Sequence, residues 1–458
     1  MTGPAPLHLD RSNPPEPGPV RPFDFPEVTS TAMPNGLDLR VARMTQVPLV
    51  TVTVVLKGGE SVLPDSMAGL AVLTGSALEG GTLKRSGPEL AEAFEDIGSA
   101  FSVQTGWDST TLSLTCMADR KVEAVGLLAE AILEPAFPDG EVDRIRSQRL
   151  AAIRQRRMDP GSLADDFAAD SIFADSVPYH RPLAGTQESV KDLGRDKIRK
   201  HWEGSFRPVG GGLVVVGDVE PGEVDALARS AFGGWEGAPE GRKPFSSEPR
   251  TRKGRIVVVD RPGAVQSEIR IGQVGAARSS PHFFPLQVFN TVLGGAFTSR
   301  LMLNLREEQG FTYGIRSRFG FRAEAGPFGI STAVATEVTA PAVREALSEL
   351  RGLVSGGPTP EEVTQSRDFI AGVFPLSLET TGQVASRIAE LLVYDLPPRF
   401  FSTYRDAIRA VSAQAARDAA QAVLRPEELV VVVVGDAEKV QGPLGDLDFG
   451  TVEVVSPE

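Results

Sequence analysis

The 458-residue sequence predicts an α+β protein made of two similar domains in tandem, and three observations carry that prediction. Arg207-Pro208 is followed nine residues on by Gly217-Asp218 after a valine run, Arg425-Pro426 is followed in the same way by Gly435-Asp436, and both pairs are offset by 218 residues. The order of strand, helix and glycine-rich helix end over 56–78 returns over 271–295. Between the copies lies a stretch rich in Gly, Pro, Lys and Arg, 231–255, with the composition of a linker. A chain of this length also exceeds what one core usually serves.

The elements follow in order. Apolar alternation predicts strands over 36–43 and 49–57, the second with Val50, Val52, Val54 and Leu56 on one face. Pro64-Asp65-Ser66 caps a helix that reaches about Leu78 and is ended by Gly80-Gly81, and a second helix covers 88–97. Segments 100–107 and 109–117 read as a hairpin with Asp108 at the turn. Helical periodicity covers 121–133, 141–157 and 163–173, with Pro160-Gly161 separating the last two; a helix near 195–204 and a strand over 213–219 close the first copy. In the second copy, Gly294 and Gly295 break an apolar run. An amphipathic helix then covers 299–309 with Leu301, Leu305 and Glu308 on one face, Gly310 caps it, and Tyr313 opens a strand through Ile315, Ser317 and Phe319.

Composition narrows the function. At 41% hydrophobic residues and a net charge of −13, the chain is globular in character and ill suited to nucleic acid or an anionic membrane as its main partner. No apolar run approaches the roughly 20 residues of a membrane span. Residues 1–25 are Pro-rich and polar without an apolar signal core; they read as a disordered arm, and the chain as written as cytoplasmic, with the periplasm following from a misassigned start. The single cysteine, Cys116, excludes an intrachain disulfide framework and sits in an apolar strand pattern. His8, His180, His201 and His282 are too far apart to share a helix turn, so each reads as a surface or structural histidine. Gly210-Gly211-Gly212 lacks the Lys-Ser/Thr ending of a phosphate loop, and Thr74-Gly75-Ser76 lies mid-helix without a base.

The densest chemistry is at Arg306 and Tyr313, a guanidinium near a helix end and a phenol at a strand start, seven residues apart and able to face one space. The alternative is a solvated Arg306 paired with Glu307 or Glu308 and a Tyr313 in the core.

The tandem plan, the segment DRPGAVQSEIRIG over 260–272 and LREEQGFTY over 305–313 resemble the insulinase/pitrilysin family of zinc metallopeptidases, which includes the mitochondrial processing peptidase. The resemblance runs from about residue 23 to 448. It implies two homologous domains, each a mainly antiparallel sheet packed with helices, divided as an arm over 1–22, a first domain over 23–235, a linker over 236–253 and a second domain over 254–450. It also implies that Arg306 and Tyr313 contact substrate near the scissile bond. The family's zinc helix carries His-x-x-Glu-His, but Val72 and Ser76 stand here for the two histidines, Gly75 for the glutamate, and Ala152 where the third ligand falls. This chain is therefore expected to bind no zinc itself. By resemblance to two-chain members, the expectation is a heterodimer whose partner, a zinc-bearing homologous subunit, supplies metal and base for hydrolysis of a peptide or unfolded polypeptide. The alternative is an inactive scaffold or peptide-binding protein of the same fold.

Overall fold

The computed structural model describes residues 22–241 and 245–457. His8 and the arm expected before residue 22 lie outside the described residues.

The first sheet is formed by β1 (Val28–Ala32), β2 (Asp38–Arg43), β3 (Leu49–Lys57), β4 (Ser102–Thr105), β5 (Ser109–Met117) and β6 (Gly212–Gly217), in the order β1-β2-β6-β3-β5-β4. The second contains β7 (Arg255–Asp260), β8 (Gln266–Val274), β9 (Ile315–Phe319), β10 (Pro327–Ala335), β11 (Val430–Gly435) and β12 (Thr451–Val455), in the order β12-β7-β11-β8-β10-β9. Five strands of each sheet correspond one to one. Most pairings are antiparallel, while β2–β6 and β7–β11 are parallel. The valine runs that end in Gly-Asp are the interior strands β6 and β11, buried along their whole length, which is why they read as continuous rather than alternating hydrophobicity. Only the outer edge differs. It is closed in the first sheet by the antiparallel β1 and in the second by the parallel C-terminal β12.

Each sheet packs its own helices on one face and borrows a helix from the other domain for the opposite face. Helix Pro160–Ile172 lays Leu163, Ala164 and Ile172 on Val257, Val259, Val430, Val432 and Val434 of the second sheet. Helix Thr381–Val393 lays Val384, Ala385 and Ile388 on Ala42, Val55, Val214 and Val216 of the first. Both are firmly started: the Asp159 carboxylate accepts from Ser162 N, and Thr380 forms a capping box with Gln383. This exchange explains β3. Its predicted face of Val50, Val52, Val54 and Leu56 is in the first core, while the other face, with Thr51, Thr53 and Val55, is buried as well. Thr51 Oγ1 there lies 2.8 Å from both Thr115 Oγ1 and Thr381 Oγ1.

Several expectations are corrected. The helix expected from residue 64 begins at Leu70; Asp65–Met67 is a separate tight turn, and Gly69, at φ 88°, breaks the two apart. The break expected at Pro160-Gly161 does separate two helices, but it falls at Asp159, and Pro160 opens the second in the first-turn position where its missing N–H costs nothing. Residues 231 and 232 belong to helix Pro221–Phe232 rather than to a linker. Beyond it the chain is stitched down: Trp235 is buried with its Nε1 donating to Phe206 O, the Phe245 ring lies 5.2 Å from that of Tyr179, and Arg250 pairs with Asp170 and Asp175. Asp108 is a buried junction as well as a turn residue. Its carboxylate accepts from Tyr179 Oη in its own domain and from Ala323 N and Tyr394 Oη in the other. No helix among the described residues is long and apolar enough to cross a membrane.

Candidate functional site

Arg306 and Tyr313 are brought together by an irregular piece of backbone. Helix Phe283–Asn290 widens into a π-helical turn, Thr291–Gly295. A Cβ on Gly294 would stand 2.6 Å from Ser317 N, so glycine is what lets β9 pass this close. Met302–Glu308 is π-helical too, ending with Gln309 N–H donating to Asn304 O at 2.9 Å, five residues back. Gly310 then takes the left-handed conformation expected of a cap, at φ 65°, while Phe311 N–H donates to Leu305 O. The wider winding keeps Leu301 and Leu305 buried but turns Glu308 out to solvent, against the single face expected of it.

The Arg306 guanidinium lies 4.6 Å from the ring centre of Phe297 and 5.3 Å from that of Tyr313, with Nε 3.4 Å from Glu307. Tyr313 is 91% exposed, which overturns the core alternative. It sits two residues ahead of β9 rather than in it, on a loop pinned by Thr312 Oγ1 donating to Ala333 O; the alternation resumes with Ile315 and Ser317 buried. A cation over exposed rings is stabilised by about 0.5–1 kcal/mol, enough to orient the side chain and too little to account for the phenol. The arrangement presents a planar fork of donors beside an exposed phenol. Sequence reasoning missed Phe297, 64% exposed, whose only signal was an aromatic set just after the paired glycines.

The stretch of the first domain where the resemblance puts the zinc helix has the opposite character. Helix Leu70–Ala77 is started by Glu60, whose buried carboxylate accepts from Gly69 N and Val72 N, each at 3.0 Å. Burial pushes the Glu60 carboxyl up from its usual range against the pull of these donors and of Arg181. Arg181, nearly fully buried, also donates to Leu63 O and pairs with Asp65. Val72 and Ser76 are half-buried one turn apart, and Ser76 Oγ is spent on Val72 O at 3.1 Å. Gly75 is pressed against β4, where a Cβ would stand 2.8 Å from Thr105 Oγ1 and 3.0 Å from Val103. Ala152 is exposed on helix Asp139–Met158. Arg149, on the same helix, lies in the field of Glu60, its guanidinium pulled down from its usual range by burial. A hydrocarbon, a bare backbone, a committed hydroxyl and a methyl do not fit zinc, which needs imidazole, thiolate or carboxylate donors.

His180, His201 and Cys116 are held in structural surroundings. His180 Nε2 faces Asp65 at 3.1 Å and Nδ1 faces Asp170 at 3.4 Å, and these hydrogen bonds raise its pKa. Asp170 and Asp175 come within metal-ligating distance of it, but Arg250 Nη2 donates to both, so a cation already serves them. Burial drives His201 down to about 4 and Cys116 up to about 11, leaving both neutral, and the thiol unreactive, at physiological pH.

Comparison with known proteins follows this division of the chain. A model described as Insulinase (Peptidase family M16) matches residues 41–183, and one described as Peptidase M16 inactive domain matches 192–369. The chain belongs to the insulinase family of peptidases. Within it, the first match spans Val72, Gly75, Ser76 and Ala152, so this is a family member without the zinc motif, while the second spans Arg306 and Tyr313. The chain is 25% identical over 399 residues to an uncharacterized zinc protease of Streptomyces coelicolor, covering 84% of this chain and 86% of that one. It is 23% identical over 402 residues to the non-peptidase homolog YmxG of Helicobacter pylori, covering 86% and 90%. Among solved structures, the peptidase M16 inactive domain from Pseudomonas fluorescens superposes with a TM-score of 0.84 at 22% identity, over 90% of this chain and 98% of that one. The insulinase fold, two mixed sheets in tandem packed with helices, is thus the fold of this protein.

Proposed function

We propose that this insulinase-family chain is the non-zinc subunit of a two-chain peptidase. Its partner is a homologous subunit that holds the zinc, its water and the general base; this chain brings Arg306 and Tyr313 to the peptide in the partner's site. Arg306 grips the substrate backbone by charge-assisted hydrogen bonds, and Tyr313 donates to the oxyanion that forms on the scissile carbonyl. The observation that supports this most is the exposed phenol beside an oriented guanidinium, a pairing that serves no packing need. The substrate class is peptide or unfolded polypeptide, and the chain itself carries no cofactor.

The test is reconstitution. Native co-purification should return a protein with His-x-x-Glu-His, metal analysis should find zinc only in that partner, and peptide cleavage should need both chains. Cleavage by the partner alone at the rate of the mixture sinks the reading. The name non-peptidase homolog borne by the Helicobacter pylori relative favours a second reading, an inactive scaffold or peptide-binding protein; that reading predicts peptide binding or complex formation with no gain in cleavage on mixing.

A further inference from the structure

A cleft of about 590 Å³ opens at the seam between the domains, away from both regions described above. The first domain contributes Gln104, Ser109 and Thr111 from β4 and β5, polar side chains on the face of the sheet turned away from helix Leu70–Ala77. The second contributes rings: Phe283, Phe319, Phe321, Phe374, Phe401 and Tyr404 all reach the cleft. The rings pack in groups, Phe283 with Phe321 at 4.8 Å and Phe374 with Tyr404 at 4.5 Å between ring centres, and their edges border the opening. Here they line a space within the usual range for small-molecule sites, at a domain boundary where such sites are common.

One end of the cleft is charged. Glu390 accepts from Arg278 Nε at 2.7 Å and from Arg387 Nη1 at 3.1 Å, so two guanidiniums share one carboxylate. Arg278 is 4% exposed, its guanidinium 3.8 Å from the ring centre of Phe283 and 4.5 Å from that of Phe400, and its Nη1 has no hydrogen-bond partner among the described residues. The side chain of Arg387 is 39% exposed and lies 5.7 Å from the ring centre of Phe401, placing it as the group an incoming molecule meets. Burial raises the phenols of Tyr394 and Tyr404, so neither offers negative charge at physiological pH. Among the charged side chains that line the cleft, two guanidiniums face one carboxylate, an excess of one positive charge.

The geometry points to a binding site for a small aryl carboxylate, its ring among the phenylalanines and its carboxylate on Arg387. The ligand would touch both domains and tighten the seam. The test uses the full chain and a panel running from phenylacetate through 3-phenylpropionate and 4-phenylbutyrate to indole-3-butyrate, each against the primary alcohol of the same skeleton, by titration calorimetry and thermal melting. At least one acid should bind and raise Tm with concentration, and its alcohol should bind roughly tenfold or more weakly, as expected for loss of a hydrogen bond to a charged group. Arg387→Gln should keep the melting temperature without ligand and bind acid and alcohol alike, and Arg387→Lys should restore part of the preference. Failure of every acid to bind, equal binding of acid and alcohol by the wild type, or a preference that survives Arg387→Gln would each overturn the proposal.

Discussion

Helix Leu70–Ala77 and the turn Met302–Glu308 with its following loop come from the two copies of one duplicated plan, and they have gone separate ways. In the first, polar chemistry has been exchanged for packing: a valine, a glycine against a strand, and a serine turned back on its own helix. In the second, packing has been sacrificed to keep a tyrosine in water and an arginine stacked beside it. A region that only has to fold sheds its exposed phenols and wide helical turns. Under the proposed function the first region serves stability and the second serves chemistry, and mutations can break that assignment.

The largest expected effect is on stability. Arg181→Ala leaves the Glu60 carboxylate buried without its ion pair, and loss of one member of such a pair costs about 3–5 kcal/mol. Urea unfolding should show it, while turnover per folded molecule in the mixed complex stays near wild type. Next, Tyr313→Phe should lower kcat of the reconstituted pair by roughly 10²–10³, about 3–4 kcal/mol of transition-state stabilisation, with Tm unchanged. Arg306→Lys should also fail, since a point-like ammonium does not reproduce a planar fork of donors. A reversed outcome, in which Tyr313→Phe melts early yet turns over normally, would collapse the contrast between the two regions.

Reinstalling the zinc motif sharpens the same point. The variant Val72→His, Gly75→Glu, Ser76→His, Ala152→Glu should hold well under one zinc per chain by metal analysis, because Gly75 has no room beside Thr105. Gly75→Glu alone should cost about 1–3 kcal/mol, the usual penalty of overpacking. The remaining effects concern pH. His201 is lowered from 6.5 to about 4, so the folded state resists its protonation, and stability falls as pH drops from 6.5 toward 4. His180 is raised, so its pairs with Asp170 and Asp65 contribute fully below 6.5 and are lost as pH climbs through the raised value. Urea midpoints across this range should slope less at the acid end for His201→Gln and less at the neutral end for His180→Gln.

Much of this was legible beforehand, for identifiable reasons. A period of two gave the limits of β3 outright, and the repeated Gly-Asp endings marked β6 and β11 as equivalent. What periodicity lacks is the address of a buried face. Leu163, Ala164 and Ile172 announce that their helix is covered, and nothing local says that the cover is the other domain's sheet. Seven residues are also too few for the apolar pattern of 302–308 to distinguish α from π winding, so the outward turn of Glu308 went unseen. The nearness of Arg306 and Tyr313 was legible from their spacing. Their third neighbour, Phe297, and the buried role of Asp108 depend on chain segments that only the fold brings near.

The exchanged helices also set a schedule for biosynthesis. Strand β6 completes the first sheet at residue 217, but the helix that covers its outer valines ends at residue 393, another 176 residues along. At 5–20 residues per second, that interval is on the order of ten to thirty seconds on the ribosome with a valine-rich face bare to water. The first half is thus made before the helix that covers its outer valines, and a gene cut at the linker would turn that passing exposure into a permanent one.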